Sequence, residues 1–109
     1  MYEIRTISSF DKQIKALSKK YKSIKNDLLN IAQQISENPT CGTLLFDNVY
    51  KIRMQIKSKG KGKSAGARLI YYNLFAKLQN NIIVFIAIYD KSDRENISDL
   101  EIKKALQEI

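Results

Sequence analysis

Apolar and polar residues alternate through Tyr2-Glu3-Ile4-Arg5-Thr6-Ile7, the period-two pattern of a strand with one buried face. The period changes after Ser8 and Ser9, either of which suits a helix N-cap. Phe10, Ile14 and Leu17 then fall at i, i+4 and i+7, one apolar stripe of a helix, with Lys12, Lys15, Lys19 and Lys20 around the rest of it. A second helical pattern runs from about Lys22 to Glu37. Its stripe is Ile24, Leu28, Ile31 and Ile35, widened by Leu29 and Ala32. Asn38-Pro39 ends it, because proline cannot continue a helix and disfavours helix in the residue before it. Only Lys20-Tyr21-Lys22 separates the two helices, so an antiparallel helical hairpin is expected.

Beyond Gly42 the period returns to two. From Val49 to Lys57, Tyr50, Ile52, Met54 and Ile56 point one way, while Val49, Lys51, Arg53, Gln55 and Lys57 point the other. That pattern predicts a strand with a buried face and a basic face. A basic loop follows from Lys57 to Gly66, then a strand from Ala67 to Phe75 rich in β-branched and aromatic residues, then a turn at Leu78-Gln79-Asn80-Asn81. Ile82 to Tyr89 is apolar on both faces, as a strand covered on both sides must be. After a polar loop, Ser98-Asp99-Leu100-Glu101 is a capping box that opens a short helix with Ile102, Leu106 and Ile109 on one side. The expected order is β-α-α-β-β-β-α. Strands joined by short turns imply an antiparallel sheet with helices packed on one face. The class is α+β, and residues 1–109 form a single domain.

Composition sharpens this picture in two ways. Nineteen Lys and Arg against eleven Asp and Glu give a net charge of +8, which attracts and steers polyanions: nucleic acid, an anionic membrane surface or an acidic protein. RNA is the leading expectation. The chain has no His and a single cysteine, Cys41. Ser–His and Cys–His catalysis and most zinc sites are therefore absent, and proton transfer falls to Lys, Tyr, Asp or Glu. Cys41 reads as a small hydrophobe. The amino terminus shows no signal pattern, and the apolar run Ile82–Ile88 is too short to span a bilayer, so a reducing cytoplasm is expected and no membrane partner.

Candidate chemistry concentrates in three places. In the loop, Lys57, Lys59, Lys61 and Lys63 alternate with small residues. Backbone there can approach phosphate while the ammonium groups follow a nucleic-acid backbone; most such runs are only solvated surface. Gly60 and Gly62 do not make a nucleotide-binding loop, which must end in Gly-Lys-Ser/Thr and open a helix. On the strand, Lys51 and Arg53 lie about 7 Å apart on one face by strand rise, roughly a phosphate-to-phosphate step. Crowded cations also lower a lysine's pKa, which suits a base. A Lys-rich edge equally serves to prevent edge pairing. Third, Tyr50, Tyr71, Tyr72 and Tyr89 lie in or beside the sheet and could stack on a splayed base or donate a proton, or simply fill the core. A further candidate is the loop from Asp90 to Asn96, which holds Lys91, Asp93, Arg94 and Glu95, or simply shapes the turn into the last helix.

Tyr50-Lys51-Ile52-Arg53, the string from Gly62 to Tyr72 and Ile88-Tyr89-Asp90-Lys91-Ser92-Asp93 together resemble the RelE/ParE superfamily of bacterial toxins, most of all its RelE and HigB branches. The resemblance covers essentially the whole chain. It implies a compact antiparallel sheet with an amino-terminal helical hairpin and a short terminal helix. It further implies the toxin of a type II toxin–antitoxin pair, an endoribonuclease that cuts messenger RNA on the ribosome by attack of the 2′-hydroxyl on the adjacent phosphate, with no metal or other cofactor. A cognate antitoxin would block it, and operator DNA would be contacted only through that complex. Lys51, Arg53, Arg68 and Lys91 match the family's catalytic cations, with Arg68 stabilising the pentavalent phosphate. Lys57, Lys59, Lys61, Lys63, Tyr71 and Tyr89 are then the RNA-binding candidates. The RelE branch carries a catalytic tyrosine just ahead of the final helix, where this chain has Ile97. Tyr89, Tyr71 or Lys51 would have to move the proton instead. Two other functions remain open at this point: a DNA gyrase poison of the ParE kind, and a non-catalytic RNA- or protein-binding module.

Overall fold

The computed structural model describes residues 2–60, 62, 65–74 and 80–109. Lys61, Lys63, Phe75, Leu78 and Gln79 lie outside the described residues. The elements are β1 (Glu3–Thr6), α1 (Ser8–Lys20), α2 (Ile24–Glu37), β2 (Thr43–Phe46), β3 (Val49–Met54), a 3₁₀ turn at Lys57–Lys59, β4 (Ala67–Asn73), β5 (Ile82–Asp90) and α3 (Asp99–Leu106). One five-stranded sheet has the order β1-β5-β4-β3-β2.

Three features differ from the expectation. First, β1 pairs with β5 in parallel, Glu3 opposite Ile82 and Thr6 opposite Phe85, so the sheet is mixed. Period-two alternation marks a strand but carries no information on its partner or direction. Second, Thr43–Phe46 forms an additional edge strand, antiparallel to β3. Asp47 and Asn48 join the two with φ of 35° and 66°, the left-handed backbone of a tight two-residue hairpin that Asx residues tolerate. Third, helices pack on both faces of the sheet. The Phe10 and Phe85 rings meet at 5.6 Å between centroids, which seats α1 on the face carrying Tyr50, Tyr71 and Phe85. On the opposite face, Lys103 of α3 lies over the Phe46 ring. Val49, expected to face outward, is completely buried.

Elsewhere the periodicities hold. Phe10, Leu17, Ile24, Ile31 and Ile35 are buried, while Leu29, read as widening the α2 stripe, is 68% exposed. β5 is buried on both faces as expected, from Ile83 to Asp90. Ser98 and Glu101 form the capping box of α3. The N-cap of α1 is Ile7, which offers no side-chain acceptor. The Ser9 N–H instead donates to the Glu108 carboxylate at 3.1 Å, so the end of the chain caps its first helix. Gly66, where the basic loop enters β4, is dictated by contact: a Cβ there would stand 2.2 Å from the Met54 carbonyl oxygen.

Candidate functional site

Alternation along β3, β4 and β5 puts Lys51, Arg53, Arg68 and Tyr89 on the face that α3 covers only in part. The register is specific: Arg53 pairs with Arg68, and Arg68 with Tyr89. Cross-strand neighbours on one face have Cβ atoms about 5 Å apart, so two guanidinium groups and a phenol stand in one row. Lys51 lies two residues along β3 from Arg53, and its ammonium reaches the Asn96 Oδ1 at 3.4 Å.

Burial grades this row. Arg53 is exposed at the edge, whereas Arg68 and Tyr89 are only 6% and 7% exposed. Burial, and then the like charge of Arg53, pull Arg68 below the ordinary arginine value, with Tyr89 opposing; a guanidinium remains a cation at neutral pH all the same. Burial raises the Tyr89 phenol above its usual value, with Arg68 and Arg94 opposing. Tyr89 is thus a neutral O–H at physiological pH. That hydroxyl is buried and has no hydrogen-bond partner, which is costly unless something arrives to accept from it.

Arg94 comes from the loop that reads as a turn into the last helix. Its guanidinium lies 5.6 Å from the Tyr89 ring centroid and is held bidentately by Glu101 of α3, at 2.7 and 3.2 Å. The loop that reads as a simple turn therefore brings a further cation to the row. Lys91, just past β5, donates its backbone N–H to Gly66 and its ammonium to the Glu95 carbonyl, both at 3.0 Å.

Two of the RNA-binding expectations are corrected, one in the basic loop and one on β4. Lys57 is exposed at its start, as expected, but the Lys59 ammonium turns inward. It donates to the Asp90 carboxylate at 2.8 Å, to the Ala65 carbonyl at 2.7 Å and to the Ser92 hydroxyl. All three of its protons are used, so Lys59 is an internal tie with none left for phosphate. Tyr71 is fully buried on the opposite face, beside the connection from α2 to β2. Its hydroxyl donates to the Pro39 carbonyl at 2.8 Å and accepts from the Gly42 N–H at 3.1 Å, while its ring stacks on Tyr50. Tyr71 therefore offers no ring face to a base and no free proton, and burial pushes its phenol well above the usual range.

Among the described residues, no group of three or more His, Cys, Asp or Glu side chains could hold a metal ion, and no helix is long and apolar enough to cross a membrane.

A mixed five-stranded sheet between unequal helical layers, with a cationic row on one face, defines a small α+β protein. The chain belongs to the RelE toxin family: the family described as "RelE toxin of RelE / RelB toxin-antitoxin system" matches residues 8–109. Membership makes it a toxin of a toxin–antitoxin pair, with an antitoxin as partner. The fold is that of the isolated E. coli RelE toxin in its crystal structure, with a TM-score of 0.62, 16% identity and complete coverage of both chains. Among curated proteins the sequence has no match.

Proposed function

We propose that the chain is a messenger-RNA endoribonuclease of the RelE and HigB kind, acting on the ribosome in the cytoplasm without a metal. The cross-strand row Arg53–Arg68–Tyr89 carries this reading. Attack of a 2′-hydroxyl on the adjacent phosphate builds extra negative charge on the equatorial oxygens. Fixed cations at that place stabilise the transition state more than the ground state. Arg68, largely desolvated and unable to lose its charge, is assigned to those oxygens. Arg53 and Lys51 hold the RNA backbone on either side, helped by Arg94, Lys91 and Lys57; Lys61 and Lys63 are assigned to the same backbone from the sequence alone.

The P–O2′ bond forms as the P–O5′ bond breaks, which leaves a cyclic phosphate and a 5′-hydroxyl. In this scheme the neutral Tyr89 phenol donates its proton to the departing 5′-oxygen, and the proton of the attacking hydroxyl passes to solvent water. Tyr89 so takes the part that Ile97 cannot perform. The antitoxin is an acidic protein, or carries an acidic segment, to match a charge of +8, and operator DNA is contacted only through the pair.

Expression of the chain without an antitoxin tests the reading. Growth should stop with messenger RNA cut and the chromosome intact. Chromosome damage with intact message identifies a gyrase poison instead, and normal growth a binding module.

A further inference from the structure

The first turn of α3 makes a contact that the helix does not need for its own stability. Glu101 closes the capping box: its Oε1 accepts from the Ser98 N–H at 3.4 Å and from the Ser98 hydroxyl at 3.2 Å. The same oxygen accepts from one terminal nitrogen of Arg94 at 2.7 Å, and Oε2 accepts from the other at 3.2 Å. Glutamine closes a capping box as well as glutamate does, so the cap does not call for a carboxylate. Stability does not call for one either. The Arg94 and Glu101 side chains are 42% and 50% exposed, and ion pairs in contact with water contribute little. What the second acceptor oxygen provides is direction, because a bidentate pair fixes the guanidinium plane that a single bond leaves free to turn.

Arg94 is held from another side as well. Its Nε–H donates to the Asn96 carbonyl at 2.9 Å, and the Asn96 side chain meets the Lys51 ammonium. So held, the guanidinium stands 5.6 Å from the centroid of the Tyr89 ring, within cation–π range. Among the described residues, three of its five N–H donors are committed, which leaves two for a ligand. We infer that Glu101 is a positioning residue of the cutting site and acts through Arg94: it pins the guanidinium against the Tyr89 ring, which steadies the phenol and presents the two remaining N–H donors to the phosphate beside it. The inference rests on the ribonuclease reading. A guanidinium that swings free leaves the phenol without its neighbour, and a reaction that needs near-attack geometry is sensitive to small displacements of its proton donor.

The test is single-turnover cutting of a defined message on ribosomes by the full chain, as wild type, Glu101→Gln, Arg94→Ala and the double variant. Glu101→Gln keeps the cap but sets an amide N–H against one arm of the guanidinium. It also removes a negative charge, which by itself would strengthen the hold on RNA. Lost positioning therefore shows as a split. The maximal rate should fall about tenfold in Glu101→Gln, while the half-saturating toxin concentration stays level or drops and thermal unfolding matches the wild type. Arg94→Ala should lose at least as much. Adding Glu101→Gln to it should slow cutting no further, because the two changes remove one interaction. Losses that multiply in the double variant, or a Glu101→Gln chain that cuts at the wild-type rate, would overturn the inference. The Arg94 Nε–H resonance in a proton–nitrogen NMR spectrum reads the position without RNA. It should be sharp in the wild type and broaden or vanish in Glu101→Gln; an unchanged signal would also overturn the inference. A wild type that cuts no message, yet shows that change in the signal, would remove the nuclease reading and keep Glu101 as the residue that fixes Arg94.

Discussion

The Lys59 ammonium stands 2.8 Å from the Asp90 carboxylate, with Asp90 fully buried and Lys59 only 11% exposed. The pair ties the basic loop to the end of β5, directly between Tyr89 and Lys91. Asp90 also accepts from the Tyr21 hydroxyl and, at 2.9 Å, from the Ser92 N–H. Burial by itself would raise the Asp90 carboxyl, but these hydrogen bonds and the Lys59 charge hold it well below the usual carboxylate range.

Asp90→Asn should therefore destabilise the chain by about 3–5 kcal/mol, the cost of leaving a buried partner uncompensated. The pH dependence follows in sign. A carboxyl whose pKa is lower in the folded than in the unfolded chain stabilises fully above the unfolded value, near 4. That contribution is lost as pH falls from there through the folded value. Urea unfolding of the wild type should weaken steadily below about pH 4, and the Asp90→Asn curve should be flatter over the same range.

Tyr89→Phe removes only a hydroxyl that has no partner. Stability should be unchanged or slightly higher, since nothing is left unpaired. RNA cutting should fall by about a hundredfold or more, the usual contribution of a positioned proton donor. Thermal unfolding and a cutting assay on the same preparation separate the two effects.

Tyr71→Phe should do the reverse. It strips hydrogen bonds from the Pro39 carbonyl and the Gly42 N–H, both in the connection from α2 to β2. A loss of about 1–3 kcal/mol is expected, with the cutting rate per folded molecule preserved. Calorimetry and an active-fraction titration read the two quantities.

These opposed tyrosines mark what the sequence could convey. Alternation placed Lys51 and Arg53 on one face of β3, and the same count along β4 and β5 brings Arg68 and Tyr89 beside them. Counting also set the stripes of α1 and α2 and the capping box of α3. What alternation cannot carry is the third dimension. Tyr71 differs from its neighbours on β4 only in parity, and nothing local says which parity faces α1 and α2. β1 finds its partner at the far end of the chain, so its parallel direction was invisible. β2 was missed because Leu44-Leu45-Phe46 does not alternate and Leu44 is 58% exposed; the Asp47-Asn48 pair was the available clue. Lys59 sits in a charge run that reads as solvated, yet its partner Asp90 lies 31 residues on. Arg94 is aimed by Glu101 across the start of a helix, a contact between two segments that each read as ordinary.

Arg68 carries the most weight. It lies at the centre of the row, between Arg53 and Tyr89, and no other side chain there combines burial with a charge it cannot lose. Arg68→Lys keeps a cation while removing the planar fork. It should cut message about 10²–10³ times more slowly, and it leaves a smaller void than Arg68→Ala.

The most direct measurement is primer extension on a defined messenger RNA in cell-free translation, with wild type, Arg68→Lys and Arg68→Ala run side by side. Wild type should give discrete cuts that require ribosomes, Arg68→Lys faint cuts and a folded Arg68→Ala none. Full cutting by Arg68→Ala, or an intact message in the presence of active wild-type toxin, would contradict this expectation.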